Sequence, residues 1–232
     1  MSHPTLRGFS LAWRRLTRRP PALAFAIATG FVVLVALSER SHGGPALVRV
    51  LSGAALGLAV PLASLALFGV AVPEGRIDLA LLPLSRRGLD RRRAALGFVL
   101  ALAAAAGAMG TILAVVAALV AALGAVGPTS PALLGSLGTA AALGAAAGVT
   151  YLALIALGSS WGERGGGRWS LLLLDALLGT ATGTLALPWP RAHLRNLLGA
   201  SAVLDLPQST APLALALIVG VCVLGTLARV ER

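Results

Sequence analysis

Few side chains in the apolar stretches of this 232-residue chain have chemistry to offer, and Asp175 stands first among them. It is the one ionisable residue well inside a predicted span, about 10 Å beyond the start of the fifth helix at 1.5 Å per residue. A carboxylate at that depth is costly, so it faces water or a partner. Two readings stay open: a cavity-facing site or gate contact, or a structural pair with Arg168 or a neighbouring hydroxyl. Thr180, Thr182 and Thr184 follow on the same predicted span, where they either line a path or bond back to their own i−4 carbonyls.

Other chemistries are excluded by what is missing. All 19 basic residues are Arg, and a nucleotide-binding P-loop needs a Lys to reach the phosphates. The chain therefore does not hydrolyse ATP by that route. His3, His42, His193 and Cys222 are too few and too scattered for a His- or Cys-rich metal site, and a lone cysteine closes no internal disulfide. Gly158-Ser159-Ser160-Trp161 lacks the final Gly of a Gly-x-Ser-Gly motif, and no His lies within a span. No catalytic residue, metal ligand or cofactor of the chain's own is expected, and the protein is read as not an enzyme.

The elements that carry these residues are membrane helices. The chain is 57% apolar and 12% charged, with a mean hydropathy of +0.89; soluble domains carry roughly 25% charge. Charge-free runs at 20–38, 50–73, 94–162, 176–190 and 206–228 each hold most of a span of about 20 residues. An all-α integral membrane protein is expected, a single transmembrane domain over 1–232 with six helices near 20–38, 47–72, 94–123, 131–160, 169–187 and 211–229. As one helix the third run would be roughly 100 Å long, so Gly127-Pro128-Thr129-Ser130-Pro131 must break it into a hairpin. The third span still exceeds the ~30 Å core and must tilt, bend near Gly107 and Gly110, or protrude. Gly53-xxx-Gly57, Gly144-xxx-Gly148 and Gly179-xxx-Gly183 permit close helix approach, as internal packing or as a dimer seam.

Arginine placement orients the spans. With the N-terminus in the cytoplasm, Arg7, Arg14, Arg15, Arg18, Arg19, Arg76, Arg86, Arg87, Arg91, Arg92, Arg93, Arg164, Arg168, Arg229 and Arg232 lie inside. Only Arg40, Arg49, Arg191 and Arg195 remain outside, and 15 against 4 satisfies the positive-inside rule. The basic charge is thus topology rather than a nucleic-acid footprint. Ala36-Leu37-Ser38 would pass as a signal-peptide cleavage site, but cleavage would leave the basic 74–93 loop without its N-terminal counterpart.

Two segments read as surface elements. In residues 5–19, Leu6, Phe9, Trp13 and Leu16 share one helical face opposite Arg7, Arg14, Arg15 and Arg18, the pattern of an interfacial helix on anionic lipid, or else of a basic tail that sets orientation. Leu11 falls on the arginine side. Residues 188–207 are too polar to span and too leucine-rich for a free loop, so a surface or re-entrant helix is expected, with Pro190 in its first turn and Leu194, Leu197, Leu198 and Ala202 on one face.

The loop at 74–93 mixes acids (Glu74, Asp78, Asp90), leucines (Leu79, Leu81, Leu82, Leu84) and arginines (Arg76, Arg86, Arg87). Orientation needs only the arginines, so a short helix packing against lipid or protein is expected. An acid, Gly75, Leu81-Leu82, then Pro83, Ser85 and Arg86 before the third span resembles the loop of type-2 ABC exporter permeases, and the six spans, N-terminal amphipathic helix and re-entrant segment extend the resemblance over the whole chain. The usual Lys after this loop is replaced by Arg91, Arg92 and Arg93. The resemblance implies a compact permease subunit of the bacterial cytoplasmic membrane, paired with a second copy or paralogue. It also implies that Glu74, Arg76, Asp78, Leu81, Leu82, Leu84, Arg86 and Arg87 dock on a separate ATPase subunit, which binds ATP and Mg. Competing readings are a polytopic enzyme acting on lipid, and a non-ABC transport or scaffold subunit.

Overall fold

The computed structural model describes residues 3–18, 21–40, 46–122, 131–199 and 203–230. The chain starts with α1 (Pro4–Arg18), its proline in the first turn, where the missing N–H costs nothing. After Pro21 comes α2 (Ala22–Arg40). The second apolar run is one continuous rod of three parts: α3 (Ala46–Arg49), a π-helical stretch (Val50–Ala59) and α4 (Val60–Ala71), with helical dihedrals at both joints. Two short helices, α5 (Ile77–Ala80) and α6 (Leu82–Ser85), lead into α7 (Arg91–Ala122) and α8 (Pro131–Gly158); α9 (Gly167–Leu178), α10 (Pro190–Leu197) and α11 (Ala211–Val230) complete the order. Among the described residues five helical segments are long and apolar enough to cross a membrane: Ala22–Glu39, Leu47–Ala71, Arg91–Ala122, Gly135–Gly158 and Gln208–Val230. The protein is a helical membrane protein.

Glycine decides the centre of the bundle. α7 and α8 run antiparallel, with Gly110 against Gly144 and Gly148 against Ala106, so close that a Cβ at either α8 glycine would meet an α7 carbonyl. Lipid tails supply no hydrophobic drive between spans, and close backbone approach replaces it with dispersion contact. The Gly144/Gly148 pair is therefore internal packing. α11 runs parallel to α8, since Thr139 and Pro212 line one end of a shared groove and Gly225 reaches Leu157 at the other. The rod of α3, the π-helical stretch and α4 packs on α7 and α8, and α2 lies against that rod and α7.

Three expectations change. The third span starts at Arg91, not near 94, as an uninterrupted 32-residue helix; its first turns meet α1, where a Cβ on Gly8 would strike the Ala94 carbonyl and one on Gly97 the Thr5 carbonyl. Second, the buried face of α1 is Gly8, Ala12 and Leu16, so Leu16 packs inward, leaving Leu6, Phe9 and Trp13 as the outward apolar strip. Phe9 and Trp13 stack at 6.4 Å along it, and Arg14 stays exposed.

Third, the segment expected as a fifth span over 169–187 is not a continuous helix. α9 stops at Leu178 after 12 residues, about 18 Å at 1.5 Å per residue and well short of the core. Gly179 and the threonines that follow favour a turn, and the carboxylate of Asp175 is engaged by the start of α10. The proposed 127–131 turn and Ala202 fall outside the described residues or side chains. Both described chain ends lie at one end of the bundle: α1 crosses the start of α7, and Arg229 of α11 sits over Trp161, 5.4 Å from its ring, just past the end of α8.

Candidate functional site

Asp175 is 2% exposed and is held from three directions. Tyr151 of α8, the sole Tyr of the chain, donates its hydroxyl to Oδ2 at 3.0 Å. The backbone N–H of Arg191 donates to Oδ1 at 3.0 Å. That N–H belongs to the first turn of α10, immediately after Pro190, so a carboxylate on one helix caps the N-terminus of another and meets the positive end of its dipole. The Arg191 guanidinium completes the set: Nε lies 3.9 Å from Oδ2, Nη1 donates to the Ala176 carbonyl at 3.4 Å, and Nη2 donates to the Gly57 carbonyl.

One arginine thus joins the π-helical stretch, α9 and α10. Glycines make room for it, because a Cβ at Gly179 would lie 2.7 Å from the Arg191 Cβ and one at Gly57 would lie 3.4 Å from Nη2. A crevice lies over Arg191, between Ser52, Leu56, Leu194 and Leu198, and the Arg191 side chain keeps 19% exposure against 3% for Asp175. The buried carboxylate is tolerated because it is bonded, since an orphaned polar group costs several kcal/mol, on the order of 2 to 7.

Hydrogen bonds also trace the path between α9 and α10. The Thr180 carbonyl accepts from Arg195 Nη1 at 3.1 Å and the Thr182 carbonyl from the Leu204 N–H at 2.9 Å, so the chain climbs past α10. It returns through the 3-10 turn Thr184–Ala186 to Pro190 at the depth of Asp175, and His193 fixes the return on the Leu187 carbonyl at 2.8 Å. α10 thus starts beside Asp175, with Pro190, Ala192, His193, Leu194 and Asn196 buried.

Several predicted positions move. Arg168 does not pair with Asp175; its guanidinium turns to the Phe68 ring, 5.8 Å from the centroid. Thr180, Thr182 and Thr184 lie beyond the last residue of α9 and are exposed, with Thr180 bonded to the Leu177 carbonyl at 3.3 Å, so they line no spanning helix. Tyr151, Arg191 and Gly57 escaped the sequence reading. The proline at the head of α10 was the available signal: Arg191 behind it carries an N–H with no intrahelical acceptor. Among the described residues no three of His, Cys, Asp and Glu converge as a metal site would require.

The 74–93 loop is a second organised feature. Ile77, Ala80, Leu81 and Leu84 seat α5 and α6 against the bundle, while Leu79, Pro83, Arg86 and Arg87 point away and Leu82 is half-buried. Leu81, fully buried, and Leu84 thus anchor the segment from below rather than presenting themselves to a partner. Arg15 of α1 clamps it with a bidentate bond to Glu74 (2.9 and 3.1 Å) and further bonds to the carbonyls of Ala71 (2.9 Å) and Ala80 (3.4 Å). Arg76 chelates Asp78 at 3.0 and 2.9 Å, and those hydrogen bonds together with the carboxylate charge raise the guanidinium pKa above its ordinary value.

Fold and site together define a multi-pass helical membrane protein in which a buried carboxylate on α9 caps the start of α10. Comparisons with family models, with curated proteins and with solved structures find no match to this chain.

Proposed function

We propose that this chain is the transmembrane permease subunit of a bacterial ABC exporter, set in the cytoplasmic membrane with both termini inside and working as a dimer driven by a separate ATPase chain. The observation that carries the reading is the α5–α6 segment, a short helical platform seated by buried leucines, offering Leu79, Leu82, Pro83, Arg86 and Arg87 outward, and clamped through Arg15 to the end of α4. Displacement of such a platform by a partner moves α4 with it. Gly57 lies on the same rod, 14 residues and about 21 Å from Ala71, where Arg191 holds α9 and α10. Movement at the platform is thereby delivered to the re-entrant segment. π-Helical turns recur at functional sites, and a stretch with i→i−5 bonding can shorten its register to α without breaking the rod. In this mechanism ATP and Mg stay on the partner, and the permease residues do no covalent chemistry.

Docking is tested by Leu79→Asp with Leu82→Asp, which spare the internally packed Leu81. A charge forced into a desolvated interface costs on the order of 2 to 5 kcal/mol, so the ATPase subunit should no longer copurify while insertion persists. Normal association and transport would reject the assignment. Orientation is tested by single cysteines in a Cys222→Ser background: position 88 should react with an impermeant thiol reagent only in inside-out vesicles, and position 206 only in intact cells. Labelling of position 88 from outside would reject the topology.

A further inference from the structure

Away from the Asp175 network, α8, α10 and α11 enclose an apolar groove of about 750 Å³, floored by Ala142, Ala146 and Val149 and walled by Leu197, Leu215 and Val219. It runs along α8 from Thr139 to Thr150, about 16 Å, or half the depth of a ~30 Å hydrocarbon core. At the Thr139 end it meets a second cavity of about 460 Å³, which shares Thr139 and Leu197 and adds Ser136, Gly199 and Gln208. Thr150, at the far end, is buried and spends its hydroxyl on the Ala146 carbonyl at 2.7 Å, so the polarity offered along the path changes once, from apolar side chains to the hydroxyl and amide groups at the Thr139 end. Among the described residues, the lining of both cavities contains neither a carboxylate nor an arginine.

We propose that this path is a binding site for a membrane glycerolipid, one leaflet deep, with acyl chain in the groove and the uncharged ester region at Thr139 and Gln208. Three observations select that occupant. The groove's length is half the thickness of the core, as the acyl region of one leaflet is. Its polar mouth lies at the end of α8 nearest the start of α11, where a lipid changes from tail to ester, and the absence of charge suits an ester rather than a phosphate. A helix of a second copy fits worse, since it would place side chains, not an ester, at the mouth. The site does not depend on the permease reading, because no ATPase or transport step enters it.

The experiment uses the full chain in phosphatidylcholine nanodiscs containing a phosphatidylcholine with a photoactivatable group in its acyl chain, with adducts mapped by peptide mass spectrometry. Adducts should concentrate on 139–150 and 212–219 over the lipid-facing residues of α2, which report ordinary annular contact. Ala146→Phe and Ala216→Phe fill the groove without touching the core, and each should lower groove adducts about tenfold, the low end for a misfit in an apolar pocket, with α2 adducts unchanged. Thr139→Val and Gln208→Leu should weaken retention of the phospholipid but not of a photoactivatable alkane. Labelling of the groove no denser than that of α2 in the unaltered chain overturns the proposal without reference to any variant. So does conversion of a dimer to a monomer by Ala146→Phe, which would assign the groove to a second copy.

Discussion

Arg191→Met is expected to cost about 3 to 5 kcal/mol, the range for removing one partner of a buried ion pair, and to lower the thermal midpoint by about 6 to 20 °C at 2 to 4 °C per kcal/mol for a chain of this size. Its guanidinium is what joins Gly57, Ala176 and Asp175, and the Asp175 side chain is only 3% exposed. Methionine keeps the backbone N–H that caps onto Asp175 and much of the stem volume. The loss therefore reports the charge and the cross-links. Adding Asp175→Asn should recover much of it, because the amide oxygen still accepts from the Arg191 N–H and the amide NH2 donates to the Tyr151 hydroxyl, which turns to accept it, without leaving a charge unpaired. A double-mutant cycle read by thermal unfolding in detergent should give a coupling of at least about 1 kcal/mol. The same cycle with Arg168→Gln should be additive, and coupling to Arg168 in place of Arg191 would refute the network described here.

Gly144→Leu should rank next, at about 1 to 3 kcal/mol or more, the cost of forcing methylenes into a packed interior. A Cβ there meets the Gly110 carbonyl and lies 2.8 Å from the Ala114 Cβ, so α7 and α8 must separate along the contact that organises the bundle. Gly138→Leu is the matched control: it lies on the same helix with no atom within 4 Å, and exposed changes of that kind stay within about 0.5 kcal/mol. Measured as apparent melting in detergent and as yield of inserted protein, the two should differ plainly. Equal effects would show that glycine acts in α8 through helix propensity and not through close approach.

The Gly110/Gly144 contact and the Arg191 network also mark how far the sequence can be read. Apolar runs of span length are a one-dimensional signal, because lipid requires each crossing segment to bond its own backbone. Five of the six expected spans, the amphipathic α1 and a helix led by Pro190, expected at the surface or re-entrant, were accordingly legible from composition and spacing. Asp175 was legible for the same reason, as a rare charge at depth. Its partners were not, since Tyr151, Arg191 and Gly57 are 24, 16 and 118 positions away, and nothing local distinguishes an arginine on a surface loop from one carried inward beside a buried carboxylate.

The faces of α1 and of the 74–93 segment show the same boundary. Periodicity placed Leu16 with Phe9 and Trp13, and put Leu81 and Leu82 together as a pair. Leu81 is fully buried while Leu79 is 40% exposed, because the choice of face belongs to the surface that α7 and α4 present. The break at Gly179 was equally hidden from hydropathy: Leu171 to Leu178 would extend as a spanning helix if hydropathy alone ruled, but α9 stops at Leu178 and Asp175 on its last turn meets the start of α10. Sequence alone determined five segments long and apolar enough to cross a membrane, through the cost of unbonded backbone there, and misjudged 169–187. Only the tertiary structure decided which polar groups meet inside it, because each is satisfied by a partner that the chain's folding, and not its order, brings within reach.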